Sequence, residues 1–153
     1  MRGEIMKMFT GKPIIKGLGS GTALVTKMPI NFTAAFTKIP SFLPYMNSVI
    51  MDRHHELFYK RIKNRVLVFP ACIGSTGTGL LLLQIITTGG APSAIIVQEA
   101  DSLLVSGIVL SDVWFNKSFP VIEYGPEDIY EKIKTGDRVD VDGQTGEIRV
   151  TQG

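Results

Sequence analysis

At 153 residues the chain has the length of one domain, enough to bury a sizeable core, and 44% hydrophobic with 20% charged residues reads as soluble and globular, not disordered. A formal net charge of +2 is too small for a nucleic-acid footprint. The one cysteine, Cys72, excludes an intrachain disulfide and an all-cysteine metal site built by this chain alone.

In chain order, residues 1–12 read as a leader with no long apolar stretch, unlike a secretory signal. Gly17-Leu18-Gly19-Ser20-Gly21 then precedes a strand-like Thr22-Ala23-Leu24-Val25. From Pro29 to Tyr45 aromatic and turn residues mix without a period, which predicts a long loop, and long loops in compact domains tend to be functional. The run Lys60-Arg61-Ile62-Lys63-Asn64-Arg65 reads as a solvated basic face, with an anionic substrate or acidic partner surface as the alternative. Arg65-Val66-Leu67-Val68-Phe69 is β-rich and almost continuously apolar, as in a strand covered on both faces. Thr76 to Thr88 is apolar nearly all round and stops at Gly89-Gly90, which predicts a buried helix.

Ala94 to Gln98 predicts a second buried strand. Asp101 suits the cap of a helix from Ser102 to about Val113. Phe119 to Glu123 predicts a third strand. Pro126-Glu127-Asp128 then opens a helix that stops at Gly136, and Arg138 to Val150 carries a β-hairpin signature. The alternation predicts one α/β domain over residues 1–153, with a parallel core and an added β layer. No stretch reaches membrane-spanning length without a charge, because Glu99 and Asp101 interrupt the best candidate. The expectation is a cytoplasmic protein with neither nucleic-acid nor membrane partners.

Ser75 draws attention first. It lies between a predicted strand and a predicted helix, where ligand sites in α/β sheets occur. A helix N-terminus favours negative charge there, on a bound anion or on a serine alkoxide. Equally, Ser75 suits a plain N-cap and the glycines a turn. The loop is no Walker A site, lacking Gly-Lys-Ser/Thr, and no nucleophile elbow, lacking G-x-S-x-G. His54 and His55 are adjacent and would point in different directions, so they form no metal pair. They suit either substrate or partner contact, or local loop hydrogen bonds. Cys72 reads as a buried structural thiol. None of these completes an acid–base constellation.

The ordered series Asp52-Arg53-His54-His55, Arg65-Val66-Leu67-Val68-Phe69-Pro70 and Gly74-Ser75-Thr76 resembles the aconitase X swivel domain, or small subunit. The likeness continues through Gly90-Ala91-Pro92-Ser93-Ala94-Ile95-Ile96-Val97, Glu99-Ala100-Asp101 and Phe119-Pro120-Val121. It closes on Gly136-Asp137-Arg138-Val139 and Val141-Asp142-Gly143, covering roughly residues 12 to 150. The resemblance implies a swivelling β/β/α domain and a hydro-lyase active only with a large catalytic subunit. That partner would hold an iron or iron–sulfur centre and most of the substrate site.

On this chain the resemblance implies Ser75 as the proton acceptor, with Gly74, Thr76, Asn31 and His55 at the substrate, a small hydroxy acid. No metal ligand is assigned to this chain. Two departures stand out: Asn31-Phe32-Thr33-Ala34-Ala35-Phe36 replaces the family's Gly-Gly region, and His55-Glu56 replaces its His-Pro. The family includes enzymes for cis-3-hydroxy-L-proline and for mevalonate 5-phosphate. The expectation here is the former, because Ser111-Asp112-Val113-Trp114-Phe115-Asn116-Lys117 looks like the bacterial form.

A serine base needs its pKa lowered. A helix N-terminus contributes about 1 kcal/mol and one pKa unit is about 1.4 kcal/mol, so a cationic group from the partner is expected beside Ser75. A phosphohistidine-type swivelling domain is the competing enzyme reading, but it needs a histidine after the Gly/Thr-rich loop, and both histidines lie upstream. A non-catalytic interaction module, with Ser75 a mere cap, is the third.

Overall fold

Consecutive apolar residues in a strand require cover on both faces, and this demand organises the molecule. The structure, a computed structural model, describes residues 4–36, 48–74 and 77–152. In chain order its elements are β1 (Ile5–Thr10), β2 (Lys12–Ile15), β3 (Leu18–Val25), α1 (Phe32–Phe36), β4 (Val66–Phe69) and α2 (Thr78–Thr87). There follow β5 (Ala94–Val97), α3 (Ser102–Phe115), β6 (Val121–Glu123), α4 (Ile129–Lys132), β7 (Arg138–Asp142) and β8 (Glu147–Gln152).

The strands neighbour one another in the order β1-β8-β7-β3-β4-β5-β6-β2. β4 pairs in parallel with β3 and β5, and β5 with β6. β3 serves two sheets: Leu18 to Thr22 run antiparallel to β7, and Ala23 to Val25 parallel to β4. β1 and β2 do the same at the ends of the order, β1 against β8 and β2 against β6, separated only by Gly11. The result is the expected swivel architecture of two β layers and one helical layer.

Side chains alternate accordingly. Val66 and Val68 of β4, with Ala94 and Ile96 of β5, meet Val139, Val141, Ile148 and Val150 between the sheets. Leu67, Phe69, Ile95 and Val97 point the other way, onto Leu82, Ile85 and Ile86 of α2 and Leu104 and Ile108 of α3. Each such side chain contributes about 1.5–3 kcal/mol by leaving water.

Four expectations are corrected. Residues 5–10, read as part of a leader, form β1, whose Phe9 stacks edge-on against Tyr124 with ring centroids 5.1 Å apart. Part of the predicted loop is α1, whose Phe32, Ala35 and Phe36 are buried, while residues 37–45 of that loop lie outside the described residues. α4 is only one turn, because Ile133 turns extended (φ −127°) to reach the core between the sheets. Within the basic run, Arg65 is structural: its Nε and Nη2 donate to the carbonyls of Thr22 and Ala23, both at 3.0 Å, where β3 changes sheets. Lys60, Arg61 and Lys63 are exposed.

The predicted cap holds: Asp101 Oδ1 accepts from the Leu104 N–H at 2.9 Å. Among the described residues no helix is long and apolar enough to cross a membrane. α2 and α3 touch backbone to backbone, and a Cβ on Gly107 would lie 2.2 Å from the Gly79 carbonyl oxygen. Gly107→Ala therefore forces the helices apart. Alanine gains about 1 kcal/mol in helix propensity, but overpacking costs about 1–3 kcal/mol, so a net loss in urea unfolding is expected. Unchanged or higher stability would show that the contact is not tight.

Candidate functional site

The carboxyl ends of the parallel strands gather the candidate residues, and short backbone bridges hold them. Past β4 the chain stays extended: Ile30 N–H donates to the Ala71 carbonyl and Ile73 N–H to the Ile30 carbonyl, both at 3.0 Å. On the other side, Glu99 N–H donates to the Pro70 carbonyl at 3.0 Å. The turn after β5 is fixed by Glu123 at the end of β6, whose Oε2 accepts from the Ala100 N–H at 2.8 Å.

These bridges bring Asn31 against Gly74. Gly74 has φ +101°, in the region that favours glycine, and a Cβ there would sit 2.6 Å from Asn31 Nδ2. Asn31 also starts α1: its Oδ1 accepts from Ala34 N–H at 3.1 Å. Two predicted site residues thus meet at the entrance to the loop. Ser75 and Thr76 lie outside the described residues. The N-cap position of α2 belongs to Gly77.

The two histidines diverge as their adjacency requires. His54 is exposed and its N–H donates to Asp52 Oδ1 at 3.0 Å. His55 is only 6% exposed, and its Nδ1 accepts from the Leu57 N–H at 3.0 Å. The ring is therefore a donor at Nε2, an atom buried without a partner among the described residues. Among the described residues the hydrogen bonds of His55 stay within its own turn, which also includes His55 N–H to the Asp52 carbonyl at 3.1 Å. The structure does not join it to Asn31 and Gly74 by any described hydrogen bond.

Sequence reasoning missed Glu56 as an anchor. Its Oε1 accepts from Thr26 Oγ1 at the end of β3, tying the histidine turn to the same sheet edge. A threonine just after a strand carries no local signal of this, since its partner lies in a distant turn. Cys72 is half-buried, and its thiol is pushed up to about 12 by burial first and by the Asp101 carboxylate second. Among the described residues no three His, Cys, Asp or Glu side chains are grouped to hold a metal ion.

Residues 8–150 match the family model described as the aconitase X swivel domain. The chain belongs to the aconitase X swivel domain family. Among relatives of this swivel domain, the phosphomevalonate dehydratase small subunit of Methanosarcina mazei is 30% identical, covering 93% of this chain and 90% of that one. The protein of the same name from Archaeoglobus fulgidus is 30% identical over 94% and 98% of the two chains. Among solved structures, the holo-form crystal structure of Thermococcus kodakaraensis aconitase X superposes with a TM-score of 0.79 at 27% identity, covering 95% of this chain and 99% of that one. The relatives are dehydratase subunits, so this swivel domain is a hydro-lyase subunit rather than a phosphohistidine carrier.

The state of Cys72 has a measurable consequence. Only the thiolate reacts, and a pKa of about 12 leaves far less of it at pH 8 than an ordinary cysteine has. Iodoacetamide should label Cys72 in the folded chain roughly 100–1000-fold more slowly than in the urea-unfolded chain. Equal rates would show that the thiol is neither buried nor faced by a carboxylate.

Proposed function

We propose that this chain is the small subunit of a phosphomevalonate dehydratase, working in the cytoplasm with a large catalytic subunit and supplying Ser75 as the base. The observation that carries the substrate is the near end-to-end match to small subunits of that name in Methanosarcina mazei and Archaeoglobus fulgidus. This replaces the expectation of cis-3-hydroxy-L-proline. That expectation rested on residues 111–117, which form the end of α3 and its left-handed cap, Asn116 at φ 52°. Both α2 and α3 begin at the candidate site, and a helix the length of α3 ends roughly 20 Å from its start, so the segment has no reason to report the substrate.

Mevalonate 5-phosphate is a 3-hydroxy acid. Its dehydration takes a proton from C2, beside the carboxylate, and releases the C3 hydroxyl as water, leaving a C2–C3 double bond. Ser75 Oγ would receive the C2 proton. The loop leads into the N-terminus of α2, whose dipole suits a developing negative charge there. Gly74 and Asn31 would set the loop's entrance, and Thr76 and the buried His55 are the other substrate-binding candidates.

The implied iron or iron–sulfur centre does not fit the described residues of this chain. Its one thiol is held protonated and no ligand cluster forms around it. In this reading those ligands, and the cation that lowers the Ser75 pKa, belong to the large subunit.

The test is anaerobic turnover by the complex with its large subunit, offered mevalonate 5-phosphate and cis-3-hydroxy-L-proline separately. Dehydration of the first alone is expected. Ser75→Ala should lower kcat by about 10²–10⁴-fold while the complex stays assembled. Turnover of hydroxyproline alone would reject the substrate, and full activity in the Ser75→Ala complex would reject the base.

A further inference from the structure

The helical layer has an outer face that water should not be left to cover. α2 contains no charged residue, and α3 contains only Asp112. Helices on a protein surface normally carry charge on the face away from the core. Here that face carries Leu80 (71% exposed), Val113 (72%) and Trp114 (62%), with Val109 and Leu110 between them. The backbone contact of Gly79 with Gly107 sets α2 and α3 side by side, so their outer faces form one surface. On α3, Leu103, Gly107, Leu110 and Trp114 follow at helical spacing along the side that meets α2.

We infer that this α2–α3 face is the surface on which the large subunit docks. Weighting each side chain by its exposure gives on the order of 600 Å² of apolar surface, the upper end for a lone monomer and close to the about 800 Å² that one partner contributes to a stable interface. The inference rests on the two-subunit reading above. Two features select the large subunit over a second copy of this chain. Exposed Ile73 and Leu80 bracket the Gly74–Gly77 loop, so a partner that completes the site at that loop covers the near end of the face. A second copy seated on Leu80 would stand in the large subunit's way. Seven residues of α3 separate the Gly79–Gly107 contact from Trp114, roughly 10 Å along the helix, so the face lies within the span of one standard interface.

The test uses the double variant Val113→Glu/Trp114→Glu, at the end of the face remote from the loop. Affinity for the large subunit is read by calorimetry, thermal unfolding of the isolated chain is read alongside, and mevalonate 5-phosphate turnover is read on the complex. An affinity loss of about 100-fold or more with an unchanged unfolding midpoint is expected, as placing two carboxylates in a buried apolar interface gives. Binding within threefold of the unsubstituted chain would overturn the inference. So would an isolated chain that sediments as a dimer, which the double variant dissociates without weakening large-subunit binding. Failure of the function reading looks different: the unsubstituted complex assembles and does not dehydrate mevalonate 5-phosphate, while the affinity loss still supports the docking face.

Discussion

Val66 and Val68 leave β4 on one side, Leu67 and Phe69 on the other, and all four are buried. A strand with this pattern cannot lie at a surface, so it needs a layer above and a layer below. The antiparallel sheet of β1, β8, β7 and the first half of β3 supplies one, and α1, α2 and α3 supply the other. Because β3, β4, β5 and β6 run parallel, each return passes over the sheet, and the loops that leave their carboxyl ends collect on one edge. The candidate site is a product of that geometry.

The edge itself is held mainly by backbone bonds. Ile30 pairs with the extension of β4, and the carbonyls of Phe69 and Pro70 accept from Gln98 and Glu99. Side chains then fasten the loops one to another: Glu123 to Ala100, Asp101 to Leu104, Glu56 to Thr26. The carboxylates are thus committed as structural acceptors, and Cys72 stays a thiol beside one of them.

Features with local causes were legible in the sequence. Asp101 announced α3 because a cap is decided within four residues, and the apolar tetrads of β4 and β5 announced double cover. β1 was not legible: Ile5, Met6 and Met8 remain exposed on an edge strand, so no alternation marks it, and it pairs with β8 at the far end of the chain. α1 is too short for a helical period, and its reason to form lies in the Asn31 cap and in Phe32 and Phe36 packing on the core. At the site, the order of segments pointed to Ser75, but the approach of Asn31 to Gly74 depends on the Ile30–Cys72 bridge, a pairing across distant sequence. The burial of His55 rather than His54 likewise follows from how the 52–57 turn is anchored, not from the residues themselves.

The position of β1 also governs when this fold can be finished. Ile5 pairs with Gln152 and Thr10 with Glu147, almost the whole length of the chain apart. At 5–20 residues per second, a ribosome takes roughly 7–30 s to deliver that partner. During this time the backbone of β1 lacks its native hydrogen-bonding partner. Long-range pairing of this kind is slow to form and open to wrong partners while it waits. With its partner strand so far away in sequence, the β1 pairing is among the last contacts of the fold to form.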